Sequence, residues 1–360
     1  DGVKEYPLRH ATKIAAVVAA AALGLAACGS DTPDATPGAN GTGTGAPAGE
    51  PIKVGLAYDV GGRGDQSFND AAAAGLDKAK QELGVQAQEA TATSGEPESA
   101  REERLEQLID AGFDNIVAVG FAYAKSVGIV AKANPEVKFA IVDDASPDSA
   151  GPNVEQITFA ENEGSFLVGA AAALKSTSNV IGFVGGVETP LIKKFEAGYV
   201  MGAKAVKPDI DIKIQYLTQV PDFSGFNSVD KGKAAADGMY QAGADVVYHA
   251  AGGSGGGVFQ AAKTANKMAI GVDSDQALTA DAAVRDVIIT SMIKKVDVAV
   301  FDYIKSISDD TFTAGNKVFD LKAGGVDYST TGGKIDDIKG QLDEYKAKII
   351  SGEIKVPTAP

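Results

Sequence analysis

The sequence predicts an α/β protein made of two doubly wound lobes. Short apolar runs that suit buried strands alternate with longer amphipathic runs that suit helices from residue 52 onwards. About nine such repeats are present, which is too many for one small sheet. No clean linker interrupts the alternation. Two lobes joined by several chain crossings fit this pattern best, and an eight-repeat TIM barrel is the alternative.

The individual elements follow from the same pattern. Predicted strands cover 52–58, 115–119, 137–142, 180–184, 210–217, 245–248, 268–272 and 287–290. Predicted helices cover 67–83, 98–111, 122–133, 188–206, 228–242, 258–267, 294–307 and 334–351. We expect a first lobe of 51–158, completed by about 288–325, and a second lobe of 159–287, completed by about 326–360.

Composition and charge exclude several classes of function. The net charge of −15 argues against nucleic acid, because phosphate binding needs clustered Lys and Arg. Cys28 is the one cysteine, which excludes an internal disulfide framework. Only His10 and His249 are histidines, and His10 lies in the N-terminal segment, so a zinc enzyme with several His ligands is excluded and no cofactor is expected.

The N-terminal segment has the pattern of a secretory signal. Basic residues precede the Ala-rich apolar run Ile14–Ala27, which is shorter than the roughly 20 residues that span a bilayer. Its ending, LAAC at 25–28, resembles the lipobox of bacterial lipoproteins. The resemblance implies cleavage before Cys28, diacylation of its thiol and retention on the extracytoplasmic face of the cell membrane; a plain signal peptide with an incidental cysteine is the alternative. Residues 28–50 lack large apolar side chains and are expected to form a flexible tether after the 1–27 signal peptide.

The loop after the first predicted strand is a candidate binding segment. Ligands of α/β sheets bind at the carboxyl ends of strands. Glycines let this loop turn sharply, and Asp65 or Ser67 can cap the helix that follows. Phe68 and Asn69 then occupy the first helical turn, an aromatic beside an amide that suits a planar heterocycle. Alternatively, Phe68 is a core residue beneath the helix.

Polar residues follow other strands as well. Asp143 and Asp144 end one strand, where they bind hydroxyls, bind a metal or are simply solvated, and the metal is the least favoured because only one histidine is available. Asp273 ends another, and a carboxylate there can accept hydrogen bonds from vicinal hydroxyls. Lys294 is expected to donate to a ribose oxygen or to pair with Asp273, and its alternative is an exposed lysine at a helix start.

A glycine-rich loop at 252–257 follows the strand that ends near Tyr248 and His249. Its glycines, including Gly252, are expected to bring backbone N–H groups near a polar solute. The loop matches a dinucleotide fingerprint only weakly. A single histidine without a nucleophile partner is more often structural than catalytic, and this is the interpretation we adopt for His249.

Six motifs together resemble the basic membrane protein family of lipoproteins, whose purine nucleoside receptors serve ABC-type importers. In chain order they are DVGGRGDQSFND (59–70), IVDD (141–144), FEAGYVMGAK (195–204), YHAAGGSGGGVF (248–259), GVDSDQ (271–276) and SMIKKVD (291–297). The resemblance implies a type I periplasmic-binding-protein fold, in which two Rossmann-like lobes close on a ligand by hinge motion. It also implies ABC transporter permease subunits as partners, and we expect a monomer, because a closing clamp needs free lobes.

The resemblance implies roles for individual residues. Phe68 would stack on the base of a purine nucleoside, and Asn69 and Asp143 would bond the base. The ribose hydroxyls would be held by Asp59, Asp273 and Lys294. Tyr248 is the preferred second aromatic of the base sandwich and Phe195 the alternative.

Three competing functions remain open from the sequence. The same fold can bind a sugar or a furanone instead of a nucleoside. An enzyme such as a nucleoside hydrolase is opposed by the absence of a nucleophile elbow and of a partner for His249. An adhesin or surface antigen is the third alternative.

Overall fold

The structure is a computed structural model that describes residues 50–360. The predicted signal peptide, Cys28 and the tether up to residue 49 lie outside these described residues. The strands of the described part are β1 Lys53–Tyr58, β2 Gln86–Thr91, β3 Asn115–Val119, β4 Lys138–Val142, β5 Val154–Phe159, β6 Val180–Glu188, β7 Asp211–Gln219, β8 Val246–Ala250, β9 Met268–Asp273, β10 Ile288–Lys294, β11 Gly315–Phe319 and β12 Val326–Tyr328. The helices are α1 Phe68–Leu83, α2 Glu98–Asp110, α3 Ala124–Ala133, α4 Glu161–Lys175, α5 Pro190–Val206, α6 Val229–Gln241, α7 Gly255–Ala265, α8 Gln276–Thr279, α9 Val296–Ser308 and α10 Lys339–Ile350.

These strands form two six-stranded sheets, which confirms the two-lobed α/β prediction over the TIM barrel. The first sheet has the order β11-β5-β4-β3-β1-β2 and the second the order β12-β10-β9-β8-β6-β7. The strands of both sheets are parallel except for β12, which runs antiparallel to β10. In each sheet the strand order reverses beside the first strand of the lobe, β1 or β6, and such switch points open a crevice at the carboxyl ends of the strands.

Between residues 50 and 360 the chain passes from one lobe to the other three times, after β5, after β10 and after β11. One expected boundary is wrong, because β10 pairs with β9 in the second sheet and does not complete the first lobe. The first lobe is completed from α9, which packs against α1, through β11. The apolar run of β10 would suit a central strand of either sheet, so its pattern alone does not decide which sheet it joins.

Several elements gave no signal in the sequence. Strands β2 and β11 lie at sheet edges and carry mostly exposed polar residues, so they lack the apolar run of a buried strand. Helix α4 is buried on nearly all sides against α5, β10 and β12 and therefore lacks a polar face. No helix among the described residues is both long and apolar enough to span a membrane.

Candidate ligand-binding site

A cavity lies between the lobes at the carboxyl ends of the strands, which is where α/β sheets bind small molecules. Residues from both lobes line it. They include seven of the eight residues predicted to bind ligand: Asp59, Phe68, Asn69, Asp143, Gly252, Asp273 and Lys294.

The segment 65–69 is held by its own side chains before α1 begins. The Asp65 carboxylate accepts hydrogen bonds from the backbone N–H groups of Ser67 and Asn69, both at 2.9 Å, so Asp65 is the residue that caps the helix. The Asn69 Oδ1 accepts a hydrogen bond from the backbone N–H of Asp59 at 3.0 Å, and its Nδ2 donates to Asp65. This network ties the end of β1 to the first turn of α1 and fixes the position of Phe68 at the cavity wall.

Lys294 is the last residue of β10 and is only 2% exposed, so the alternative of an exposed lysine at a helix start is wrong. Its Nζ donates to Asp143 Oδ2 at 2.6 Å and lies 3.3 Å from Glu161 Oε1. The nearest carboxylate is therefore Asp143 of the other lobe and not the expected Asp273. Burial opposes the charge of Lys294, but the surrounding carboxylates outweigh it and raise the pKa of the ammonium above its ordinary value.

Three aromatic rings surround the same ammonium. The Lys294 Nζ lies 5.1 Å from the ring centroid of Phe68, 5.0 Å from that of Phe159 and 5.5 Å from that of Phe195. Cations within about 6 Å of a ring centroid are attracted to its face. Phe68 from the first lobe and Phe195 from the second therefore both lie beside the Lys294 ammonium and line the same cavity.

Three buried carboxylates add hydrogen-bond acceptors to the cavity. Burial raises the pKa of Asp59 to about 6 and that of Asp273 to about 6, although Lys294 opposes the latter shift. Burial also raises the pKa of Asp143, against the effect of Lys294. Asp143 Oδ1 is buried and has no hydrogen-bond partner among residues 50–360. An acceptor left in this state can be satisfied by a donor on a bound ligand.

The prediction for Tyr248 is wrong. Its ring is fully buried and packs against Tyr199 at 5.2 Å and Phe183 at 5.6 Å between ring centroids, and its hydroxyl lies 3.2 Å from Ser165 Oγ. Tyr248 lies two residues before the end of β8, so its side chain belongs to the core beneath the cavity. Phe195, the alternative second aromatic, lines the cavity instead.

The sequence reasoning missed two further aromatic residues of the cavity, Phe121 and Phe226. The Phe121 ring meets those of Phe223 and Phe226 edge-on across the cleft, with centroid distances of 5.9 and 6.4 Å. Phe121 directly follows Gly120 at the end of β3, so the rule that ligands bind at the carboxyl ends of strands could have identified it. Phe226 lies in a 3-10 turn after the edge strand β7, where no periodic pattern marks it.

The glycine loop contains one cavity residue and two glycines that permit close packing. Gly252 lines the cavity with φ at +53°, a conformation that favours glycine. In contrast, a Cβ atom at Gly255 would overlap the His249 ring, and one at Gly257 would overlap the Val229 carbonyl oxygen of α6. Gly255 and Gly257 therefore permit close packing of α7.

Two lobes that enclose a mixed polar and aromatic cavity have the arrangement of a solute-binding protein. The model of the Bmp family, described as ABC transporter substrate-binding protein PnrA-like, matches residues 52–359. The chain therefore belongs to this family of ABC transporter substrate-binding proteins, as the six motifs indicated.

The chain is similar over most of its length to several named proteins. A CD4+ T-cell-stimulating antigen of Listeria innocua is 36% identical over 96% of this chain and 97% of its own length. The ABC transporter nucleoside-binding protein BmpA of Lactococcus lactis is 35% identical over 85% of this chain and 89% of its own length. An uncharacterized lipoprotein of Pyrococcus horikoshii is 36% identical over 78% and 69%, respectively.

Solved structures show the same fold. An ABC transporter solute-binding protein from Aeropyrum pernix superimposes with a TM-score of 0.75 and 32% identity, covering 86% of this chain and 94% of that one. A second solute-binding protein, from Conexibacter woesei, gives a TM-score of 0.69 and 25% identity, covering 85% and 99%. These similarities confirm the type I periplasmic-binding-protein fold.

Proposed function

We propose that this protein captures a purine nucleoside between its lobes and passes it to the permease subunits of an ABC importer. The observation that carries the proposal is that Phe68 of the first lobe and Phe195 of the second both line a cavity that also offers carboxylate oxygens. A planar base can stack between two such rings only when the lobes close. The nucleoside-binding name of the Lactococcus lactis relative supports the same ligand class.

The charges of the cavity favour a neutral ligand rich in hydrogen-bond donors. Asp59, Asp65, Asp143 and Asp273 all line it, whereas the one ammonium among its lining residues, Lys294, is already paired with Asp143. Ribose hydroxyls and base N–H groups can donate to these carboxylates. A nucleotide would bring its phosphate into a site with excess negative charge, so we expect nucleosides to bind and their monophosphates to be rejected.

Aromatic substitutions test the stacking role. We expect Phe68→Ala and Phe195→Ala each to weaken adenosine binding by about 1 to 3 kcal/mol, the usual loss when a base loses an aromatic partner. Phe312→Ala is a matched control, because Phe312 packs against Tyr303 away from the cavity. Full affinity in both cavity variants, measured by calorimetry, would contradict the proposed site.

A sugar is the second candidate, because carboxylates and aromatic rings also suit a pyranose. Adenosine and ribose distinguish the two ligand classes in a single competition experiment. Displacement of bound adenosine by ribose at similar concentrations would favour the sugar, since the stacked base would then contribute no affinity.

We further propose that the chain is a lipoprotein anchored through Cys28, monomeric, on the extracytoplasmic face of the cell membrane. The LAAC motif and the lipoprotein name of the Pyrococcus horikoshii relative support the lipid anchor, and the monomer is expected because a closing clamp needs free lobes. Cys28→Ser is expected to move the protein from the membrane fraction to the soluble secreted fraction. Retention of this variant in the membrane fraction would count against lipid anchoring.

A further inference from the structure

A hydrogen bond across the cleft joins Gln276 of the second lobe to Gln66 of the first. The Gln276 side chain is buried, and its Nε2 donates to the Gln66 carbonyl oxygen at 3.0 Å. Gln66 lies two residues before Phe68 and has φ at +57°, an uncommon conformation for a residue with a side chain. Such conformations persist only where surrounding contacts hold them and often occur at ligand clamps.

Two donors on the second lobe fix the direction of the Gln276 amide. Its Oε1 accepts from the backbone N–H of Val272 at 2.9 Å and lies 3.0 Å from His249 Nε2. Because the oxygen end of the amide is engaged on the second lobe, its NH₂ group must face the first lobe.

The state of His249 matches this arrangement. Burial lowers the pKa of His249 to about 4, so the imidazole is neutral near pH 7 and carries one proton. Its Nδ1 is buried and has no partner among the described residues. An N–H group in that position would be an unsatisfied donor, so the hydrogen-bond network assigns the proton to Nε2, which faces Gln276.

Packing holds the imidazole in place. The ring of Phe259 meets the His249 ring edge-on, with centroids 5.1 Å apart. Gly255 provides the space that the imidazole occupies, since a Cβ atom there would overlap it. Within the 248–259 motif, Gly255 therefore allows the His249 ring to lie where it contacts Gln276.

We propose that Gln276 and His249 are positioning residues that form a latch across the cleft. The latch is made of protein atoms alone, holds the segment 65–69 against the second lobe in the closed form and slows the release of ligand. A neighbouring hydrogen bond from Ser67 Oγ to Asp273 Oδ2, at 2.6 Å, also joins the two lobes. The link to ligand release rests on the proposed function, whereas the link to lobe closure does not.

Gln276→Glu isolates the latch. The new carboxylate retains an oxygen for the Val272 N–H and His249, but it presents a second oxygen to the Gln66 carbonyl in place of a donor. Gln241→Glu is the matched control, because it adds the same charge at an exposed position of the same lobe, at the end of α6. We expect adenosine to dissociate from the Gln276→Glu protein at least about tenfold faster than from the control, since a favourable hydrogen bond is replaced by repulsion.

Lobe closure is measured separately and without ligand. In the full chain with Cys28→Ser, no native thiol remains, so spin labels at Glu103→Cys and Ala234→Cys report one distance between the lobes. We expect Gln276→Glu to deplete the short-distance population relative to Gln241→Glu. We expect His249→Leu to do the same and His249→Gln, which keeps a donor, to restore it.

Identical distance distributions for the two glutamate variants, with and without adenosine, would overturn the latch. If the control protein binds no nucleoside, the proposed function fails, while the ligand-free distances still decide whether the latch exists. Thermal unfolding of each variant shows whether a changed distance reflects general loss of structure.

Discussion

Replacing Lys294 by Met is the substitution whose cost the structure defines most clearly. The change keeps an unbranched side chain one atom shorter than lysine but removes the charge that lies 2.6 Å from Asp143 and 3.3 Å from Glu161. Glu161 retains Lys194 at 3.3 Å, whereas Asp143 loses the one lysine or arginine that pairs with it among residues 50–360. Asp143 would then be a buried carboxylate without a counter-charge.

The magnitude follows from breaking a buried ion pair, which costs about 3 to 5 kcal/mol. We expect Lys294→Met to lose that much unfolding free energy near pH 8. The loss should shrink as pH falls, because the stranded Asp143 has a raised pKa and takes up a proton in the folded protein. The wild-type lysine stays charged throughout this range, since its pKa lies above the ordinary value.

Denaturant unfolding at pH 8 and pH 5 measures both effects. The double variant Lys294→Met with Asp143→Asn should recover much of the lost stability, because no buried charge then remains unpaired on that residue. Lys305→Met is the control, because Lys305 forms an exposed salt bridge with Asp309 one helical turn away. Loss of that salt bridge should lower the free energy of unfolding by no more than about 0.5 kcal/mol. A Lys294→Met protein as stable as this control, or one that the second substitution does not rescue, would refute the reasoning.

Three further substitutions test particular residues. Because burial raises the pKa of Asp59 to about 6, the folded protein binds a proton more readily than the unfolded chain and loses stability as pH rises from 4 to 7. The free energy of unfolding of Asp59→Asn should therefore exceed that of wild type by about 2 to 3 kcal/mol at pH 7 and nearly equal it at pH 4. A difference in unfolding free energy that does not change with pH would contradict this prediction. Tyr248→Phe should keep full ligand affinity and lose at most about 1.5 kcal/mol of unfolding free energy, because only the hydroxyl contact with Ser165 is removed. A large loss of affinity in calorimetry would instead show that Tyr248 takes part in ligand binding. Gly255→Ala should lower the free energy of unfolding by about 1 to 3 kcal/mol, because its methyl group overlaps His249. Gly256→Ala is the control and should leave stability unchanged, because the space around its new Cβ atom is open. Equal stabilities of the two variants in thermal unfolding would contradict this packing.

Much of the fold followed from the sequence because parallel strands bring their carboxyl ends to one edge of a sheet. That rule placed Asp59, Asp143, Asp273 and Lys294 together although more than 200 residues separate the first from the last. The rule does not say how close to the strand end a residue must lie for its side chain to reach the cavity. Tyr248 therefore entered the predicted site although its position before the strand end places it in the core.

Other parts depend on contacts that no local pattern records. The choice of Asp143 over Asp273 as partner of Lys294 is set by how the two lobes meet. Glu161 reaches the same ammonium from the start of α4, a helix whose uniform burial removed its amphipathic signal. The reach of Gln276 across the cleft likewise depends on lobe closure, which is a property of the assembled fold.

The central claim is that the cavity binds a purine nucleoside, and calorimetric titration of the unfolded and refolded wild-type protein tests it most directly. Refolding removes any solute retained during purification. We expect heat of binding with adenosine, guanosine or inosine, weaker heat with cytidine, and none with ribose, glucose or adenosine monophosphate. Binding of glucose or ribose without binding of any nucleoside would contradict the claim and assign the clamp to a sugar.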